Sequence, residues 1–138
     1  MGQLVDGQWR TDAWMRSADG HFQRDRSSFR SWIRADGSTD FAPQAGRYHL
    51  YVSHACPWAH RTVIFRALKG LGDVVGLTVV DPLMLDDGWV FDPPEPVGGA
   101  ATLRAIYIKA NPTYTGRVTV PVLWDTLGNT IVSNESSE

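Results

Sequence analysis

Apolar and polar positions follow a regular pattern from residue 47 onward and an irregular one before it. Residues 48–52, Tyr48-His49-Leu50-Tyr51-Val52, read as a strand. Residues 57–70 predict a helix, opened by Pro57, which has no N–H to lose in the first turn, and closed by Gly70. A second β-favouring run occupies 75–80. Strand, helix and strand in that order predict a parallel pair joined by a right-handed crossover. Residues 81–100 read as loop, because Pro93, Pro94 and Pro96 exclude helix and central strand. A second helix is predicted over 102–111, with Pro112 just past its end. Residues 118–125 read as a strand interrupted by Pro121. Residues 130–133 are its hairpin partner across the turn Thr126-Leu127-Gly128-Asn129.

The two ends differ from this. Residues 1–46 are polar, with scattered glycines and aromatics and no sustained period; they predict an irregular arm, with a short helix or turn over 25–33. At the other end, Asn134-Glu135-Ser136-Ser137-Glu138 has the composition of a helix start. A mixed sheet needs helices on both faces to bury its apolar residues. The expectation is therefore an arm over 1–46 and an incomplete α/β domain over 47–138, cut within its last helix. The alternative is a natural end with a frayed tail.

Composition narrows the class. The chain has 138 residues, 43% of them hydrophobic, enough for one domain with a core. A net charge of −2 without runs of like charge speaks against nucleic-acid or membrane-surface partners. No apolar stretch is long enough to span a bilayer, and the first residues lack the pattern of a secretory signal. One cysteine excludes an internal disulfide and fits a reducing cytoplasm. Four histidines and that cysteine show no metal-ligand spacing, so no metal is expected. Of six tryptophans, Trp9, Trp14, Trp32 and Trp89 fall in segments that do not read as core elements. They either line a ligand site or pin the arm to the domain.

The lone cysteine, Cys56, falls at the junction of the first main strand and helix. Unpaired N–H groups and the helix dipole favour a thiolate there, and hence a nucleophile. A small buried hydrophobe is the alternative use of a single cysteine. Ala59 stands where a dithiol oxidoreductase carries its resolving cysteine, so a mixed disulfide on Cys56 needs an external thiol.

Several motifs together resemble one family. They are Cys56-Pro57-Trp58-Ala59-His60-Arg61-Thr62, Asp87-Gly88-Trp89-Val90-Phe91, the block from Tyr114 to Asp125 containing Arg117-Val118-Thr119-Val120-Pro121, and Ile131-Val132-Ser133-Asn134-Glu135-Ser136. Gly20-His21-Phe22, Phe29-Arg30-Ser31-Trp32-Ile33 and Arg47-Tyr48-His49-Leu50-Tyr51 fit as well. The chain resembles the glutathionyl-hydroquinone reductases, the Xi class of glutathione transferases, over essentially its whole length.

The resemblance implies a thioredoxin-like glutathione transferase N-terminal domain, carrying a long irregular arm and truncated at the start of its last helix. Family members are longer and add an all-helical domain that supplies much of the hydroquinone pocket; full-length forms are expected to be homodimers. It implies glutathione as cosubstrate and Cys56 as the catalytic nucleophile. Trp89, Arg117, Val118, Thr119, Val120, Pro121, Glu135 and Ser136 are the implied glutathione cradle. In it, Arg117 meets a carboxylate and Trp89 packs and donates. A cis Val120–Pro121 bond presents the Val120 backbone to the cysteinyl group, Ser136 holds the γ-glutamyl carboxylate and Glu135 the amino group. An edge-strand proline and a plain capping pair are the alternatives for Pro121 and for Glu135 with Ser136. His60 either helps keep the thiolate or is an exposed helical histidine, and His54 is open in the same way. The other readings are an omega-like thiol transferase or dehydroascorbate reductase, which shares the Cys-Pro monothiol, and a non-catalytic truncated glutathione-binding fragment.

Overall fold

The computed structural model describes residues 2–12 and 26–138. Its first elements, β1 (Gln3–Val5) and β2 (Gln8–Arg10), form an antiparallel hairpin with Leu4 opposite Trp9. The hydrophobic pattern predicts no element here, because three-residue strands contain too few alternations to register as a period. The signal lies in the turn instead. Asp6 and Gly7 have φ of 49° and 74°, the two left-handed residues that a tight hairpin turn requires, and Asp-Gly is a dipeptide that accepts them.

From Arg26 to Ile33 the chain is irregular, not helical; Asp25, Trp14 and Gly20-His21-Phe22 lie outside the described residues. The backbone groups a helix would use are taken up by the sheet edge. Ser31 N–H donates to Val132 O at 2.9 Å, and Phe29 O accepts from Asn134 N–H at 3.0 Å. An edge strand is thereby covered.

The main sheet is mixed, as the pattern predicts. β3 (Tyr48–Val52) is buried at every position and lies centrally, parallel to β4 (Val75–Val79) and antiparallel to β5 (Val122–Asp125), which pairs antiparallel with β6 (Thr130–Ser133). The crossover between β3 and β4 is α1 (Pro57–Leu68), with Pro57 in its first turn. α2 (Leu103–Ala110) buries Leu103, Ile106 and Tyr107, one face of a helix, and packs on β6. α1 buries only Ala59 and leaves Phe65 and Leu68 exposed.

Two buried carboxylates organise the frame, and neither is visible as pattern. Asp125 at the end of β5 grips Arg47, just before β3, in a bidentate pair of 2.7 and 2.6 Å. That hydrogen bond holds the Asp125 carboxyl below the ordinary carboxylate range, against the effect of its burial. Glu95 lies in the proline-rich loop. Burial would raise its pKa, but N–H groups of Ala100, Val97 and Gly98 and the Tyr51 hydroxyl hold it low. The loop of 81–102 is thus folded around a charged acceptor despite having no helix or strand of its own.

Candidate active site

The position of Cys56 follows from the end of β3. Ser53, almost wholly buried, accepts Ala55 N–H on its hydroxyl at 3.2 Å and Cys56 N–H on its carbonyl at 3.2 Å. This turns the chain so that Cys56, in an extended conformation, becomes the N-cap of α1, and His60 N–H closes the first turn onto its carbonyl at 3.0 Å. The thiol is free and partly buried. No side chain caps this helix start, so the dipole end stays directed at the region of the thiol. Ala59 is fully buried one turn on, so the resolving position has neither sulfur nor exposure. His54 and His60 are exposed.

Across from the thiol stands the segment preceding β5. Cys56 Sγ lies 3.7 Å from Val120 O. The Val120–Pro121 bond is cis, and Val118, Val120 and Pro121 are buried. The sequence reading contains no role for the residue that holds this segment, Tyr107 of α2. Its hydroxyl donates to Thr119 O at 2.9 Å and accepts from Thr119 N–H at 3.3 Å and from Asn134 Nδ2 at 3.1 Å. Burial pushes the Tyr107 phenol up, so it stays protonated at neutral pH and serves as a strut. The available signal was its place four residues after Leu103 on a predicted helix, which puts both on the buried face.

Asn134 carries the constraint on to Glu135 and Ser136. Residues 135–138 make one turn, closed by Glu138 N–H onto Glu135 O at 3.3 Å. The Glu135 carboxylate accepts from the Ser27 hydroxyl at 3.1 Å and from Ser137 N–H at 3.2 Å; Ser27 was not foreseen as a neighbour. Arg61 of α1 reaches Ser136 Oγ at 3.4 Å and places its guanidinium over the Trp58 ring at 5.2 Å. Arg61, Pro121, Glu135 and Ser136 line one cavity of about 560 Å³, together with Leu50 and Phe65.

The implied cradle is therefore gathered in two groups. Cys56 and Val120 meet at the thiol; Pro121, next in the chain after Val120, joins Glu135 and Ser136 at the cavity. Trp89 and Arg117 do not line that cavity. Trp89 is partly buried, its carbonyl accepting Leu103 N–H at 2.9 Å, and Arg117 follows Gly116, its carbonyl accepting the Tyr114 hydroxyl at 3.0 Å. Of the arm tryptophans, Trp9 packs on the domain and donates to Asp86 O at 2.9 Å, whereas Trp32 is exposed, with Arg34 over its ring, and joins the lining of the cavity. Among the described residues no group of three or more His, Cys, Asp and Glu is arranged to hold a metal ion, and no helix is long and apolar enough to cross a membrane.

Comparison with known proteins agrees with this architecture. Residues 55–138 match the glutathione S-transferase N-terminal domain family. The chain is 51% identical to the glutathionyl-hydroquinone reductase YqjG of Escherichia coli, with all of this chain and 46% of that protein covered. Among solved structures it resembles the Xi class glutathione transferase of Natrialba magadii, with a TM-score of 0.88 and 51% identity, covering 100% of this chain and 42% of that one. The glutathione-bound structure of YqjG gives a TM-score of 0.80 at 46% identity, covering 99% and 43%. The chain belongs to the glutathione S-transferase family, in its Xi-class, glutathionyl-hydroquinone reductase branch. It spans about half the length of the curated relatives it matches.

Proposed function

We propose that this chain carries the nucleophile and the glutathione site of a glutathionyl-hydroquinone reductase. The single observation that carries the proposal is the free Cys56 thiol at the start of α1, 3.7 Å from Val120 O beside Pro121, with alanine at the resolving position. The Cys56 thiolate attacks the glutathione sulfur of a glutathionyl-hydroquinone. The Cys56–glutathione disulfide forms as the bond from sulfur to ring carbon breaks; its electron pair stays on the ring, which takes up a proton and leaves as hydroquinone. A second glutathione thiolate attacks the glutathione sulfur of that disulfide, releasing oxidised glutathione and restoring the Cys56 thiolate. The hydroquinone gains the two electrons that the two glutathiones lose.

In this proposal Val120 pairs the cysteinyl backbone, Arg117 and Trp89 hold the far end of glutathione, and Glu135 with Ser136 holds the γ-glutamyl end, Arg61 adding positive charge. The names of the relatives support the substrate class. The chemistry needs a reducing compartment such as the cytoplasm, where the lone thiol stays reduced.

The test is mass spectrometry after exposure to a glutathionyl-hydroquinone. The expected result is one glutathionyl group on Cys56 with release of hydroquinone, and neither in Cys56→Ser. Hydroquinone release by Cys56→Ser overturns the mechanism. Dehydroascorbate assayed in parallel distinguishes an omega-like activity.

A further inference from the structure

We infer that the N-terminal hairpin is a strap that positions Trp89 and Arg117 for glutathione, with Trp9 as its principal positioning residue; this rests on the function proposed above. Neither segment carrying these two residues has regular structure of its own. The hairpin touches both. On one side Leu4, fully buried, exchanges two backbone hydrogen bonds of 2.9 Å with Gly116, the residue before Arg117, while Gly7 N–H donates to Tyr114 O at 3.0 Å and Asp6 N–H to Thr115 Oγ1 at 2.9 Å. On the other side the Trp9 indole N–H donates to Asp86 O at 2.9 Å. The Trp9 ring lies so close to Gly88, the residue before Trp89, that a Cβ there would stand 3.0 Å from it. Arg104 completes this side: its guanidinium sits 5.0 Å over the Trp9 ring and donates to Asp87 O at 2.9 Å. One short hairpin thus sets the separation of two loops that the sheet does not reach. A ligand held at both must otherwise offset the entropy of ordering them.

The experiment measures glutathione binding by calorimetry on the chain and on Trp9→Ala and Trp9→Phe, with amide hydrogen exchange on the same proteins. The expected result is a Kd about tenfold higher for Trp9→Ala and a smaller rise for Trp9→Phe, which keeps the ring and loses the N–H donor. Exchange should quicken at Gly88 and Gly116 and stay unchanged in β3 and β5. An unchanged Kd in Trp9→Ala overturns the strap and leaves the Cys56 chemistry standing. Equal acceleration of the sheet amides reduces Trp9 to a general stabiliser and also overturns it. Should Trp9→Ala not fold, Trp9→Phe decides, and a Kd equal to the parent's overturns the inference. Failure of the parent chain to bind glutathione overturns the functional proposal, and the strap with it.

Discussion

The Cys56 thiol lies 3.7 Å from the carbonyl of Val120, a residue 64 positions away in the chain. The two meet because β3 and β5 are neighbours in the sheet, with Tyr51 opposite Val122 as the last pair of their register. The loop leaving β3 and the segment entering β5 therefore share one end of the sheet. A thiol and a backbone hydrogen-bonding edge are set side by side there without any direct link in sequence.

This relationship predicts the behaviour of a second thiol. In Ala59→Cys, the new thiol should attack a glutathionyl mixed disulfide on Cys56 across one helical turn, closing a disulfide between positions 56 and 59 and expelling glutathione from within the chain. A thiol count and mass spectrometry would show loss of the stable adduct expected of the parent. A persistent adduct would mean that the buried position 59 cannot reach the sulfur.

Tyr107 should matter more than its distance from the thiol suggests. Tyr107→Phe leaves the Thr119 and Asn134 partners of its hydroxyl unsatisfied in a buried region, at a cost of about 2 kcal/mol in stability. Denaturant unfolding measures this, and glutathione affinity should fall with it as the Val120 segment loosens. Unchanged unfolding would show that water replaces the phenol.

Leu4→Ala tests how firmly the hairpin is anchored. Leu4 is fully buried, and truncation should cost about 2–5 kcal/mol if the strand stays in place around the cavity. A loss well under 1 kcal/mol, by the same unfolding measurement, would show that the hairpin detaches readily and adds little to the fold.

Acid should destabilise the fold in two stages. His49 is buried, and burial holds its pKa below the ordinary 6.5, with Glu95 opposing and Arg66 adding to the effect. The unfolded chain then binds that proton more readily, so stability begins to fall as pH drops through about 6.5. Asp125 is held low mainly by Arg47, and Glu95 is held low by its N–H donors against its burial. Their contribution is complete above the ordinary carboxylate range and is lost as pH falls through it toward their lower folded values. Asp125→Asn should shrink the acid stage to the share of Glu95 and leave the His49 stage intact. Equilibrium unfolding across a pH series checks both, and a flat profile from neutral pH to the carboxylate range would contradict the His49 assignment.

The main elements were legible because each depends on local periodicity and punctuation. The predicted strand at 48–52 and its observed bounds coincide. The predicted helices at 57–70 and 102–111 lose only terminal residues, Lys69 and Gly70 from the first and the capping residues Thr102 and Asn111 from the second. The strand expected over 118–125 is shorter, starting at Val122 after the cis peptide. The hairpin at Asp6-Gly7 was missed because its strands are three residues long, and the helix or turn allowed at 25–33 gave way to pairing along the edge of β6.

The sequence by itself determined the placement of Cys56 at a helix start, the monothiol character given by Ala59, and the order of strands and helices along the chain, since all three are set by residues close in the chain. Only the tertiary structure decided that Tyr107 fixes the Thr119 backbone, that Ser27 meets Glu135, and that Trp9 reaches the loop before Trp89. Those contacts join residues 12, 108 and 77 positions apart. A hydrophobic period reports which face of an element is buried and nothing about which distant loop lies against it, so these partners emerge only once the sheet has folded.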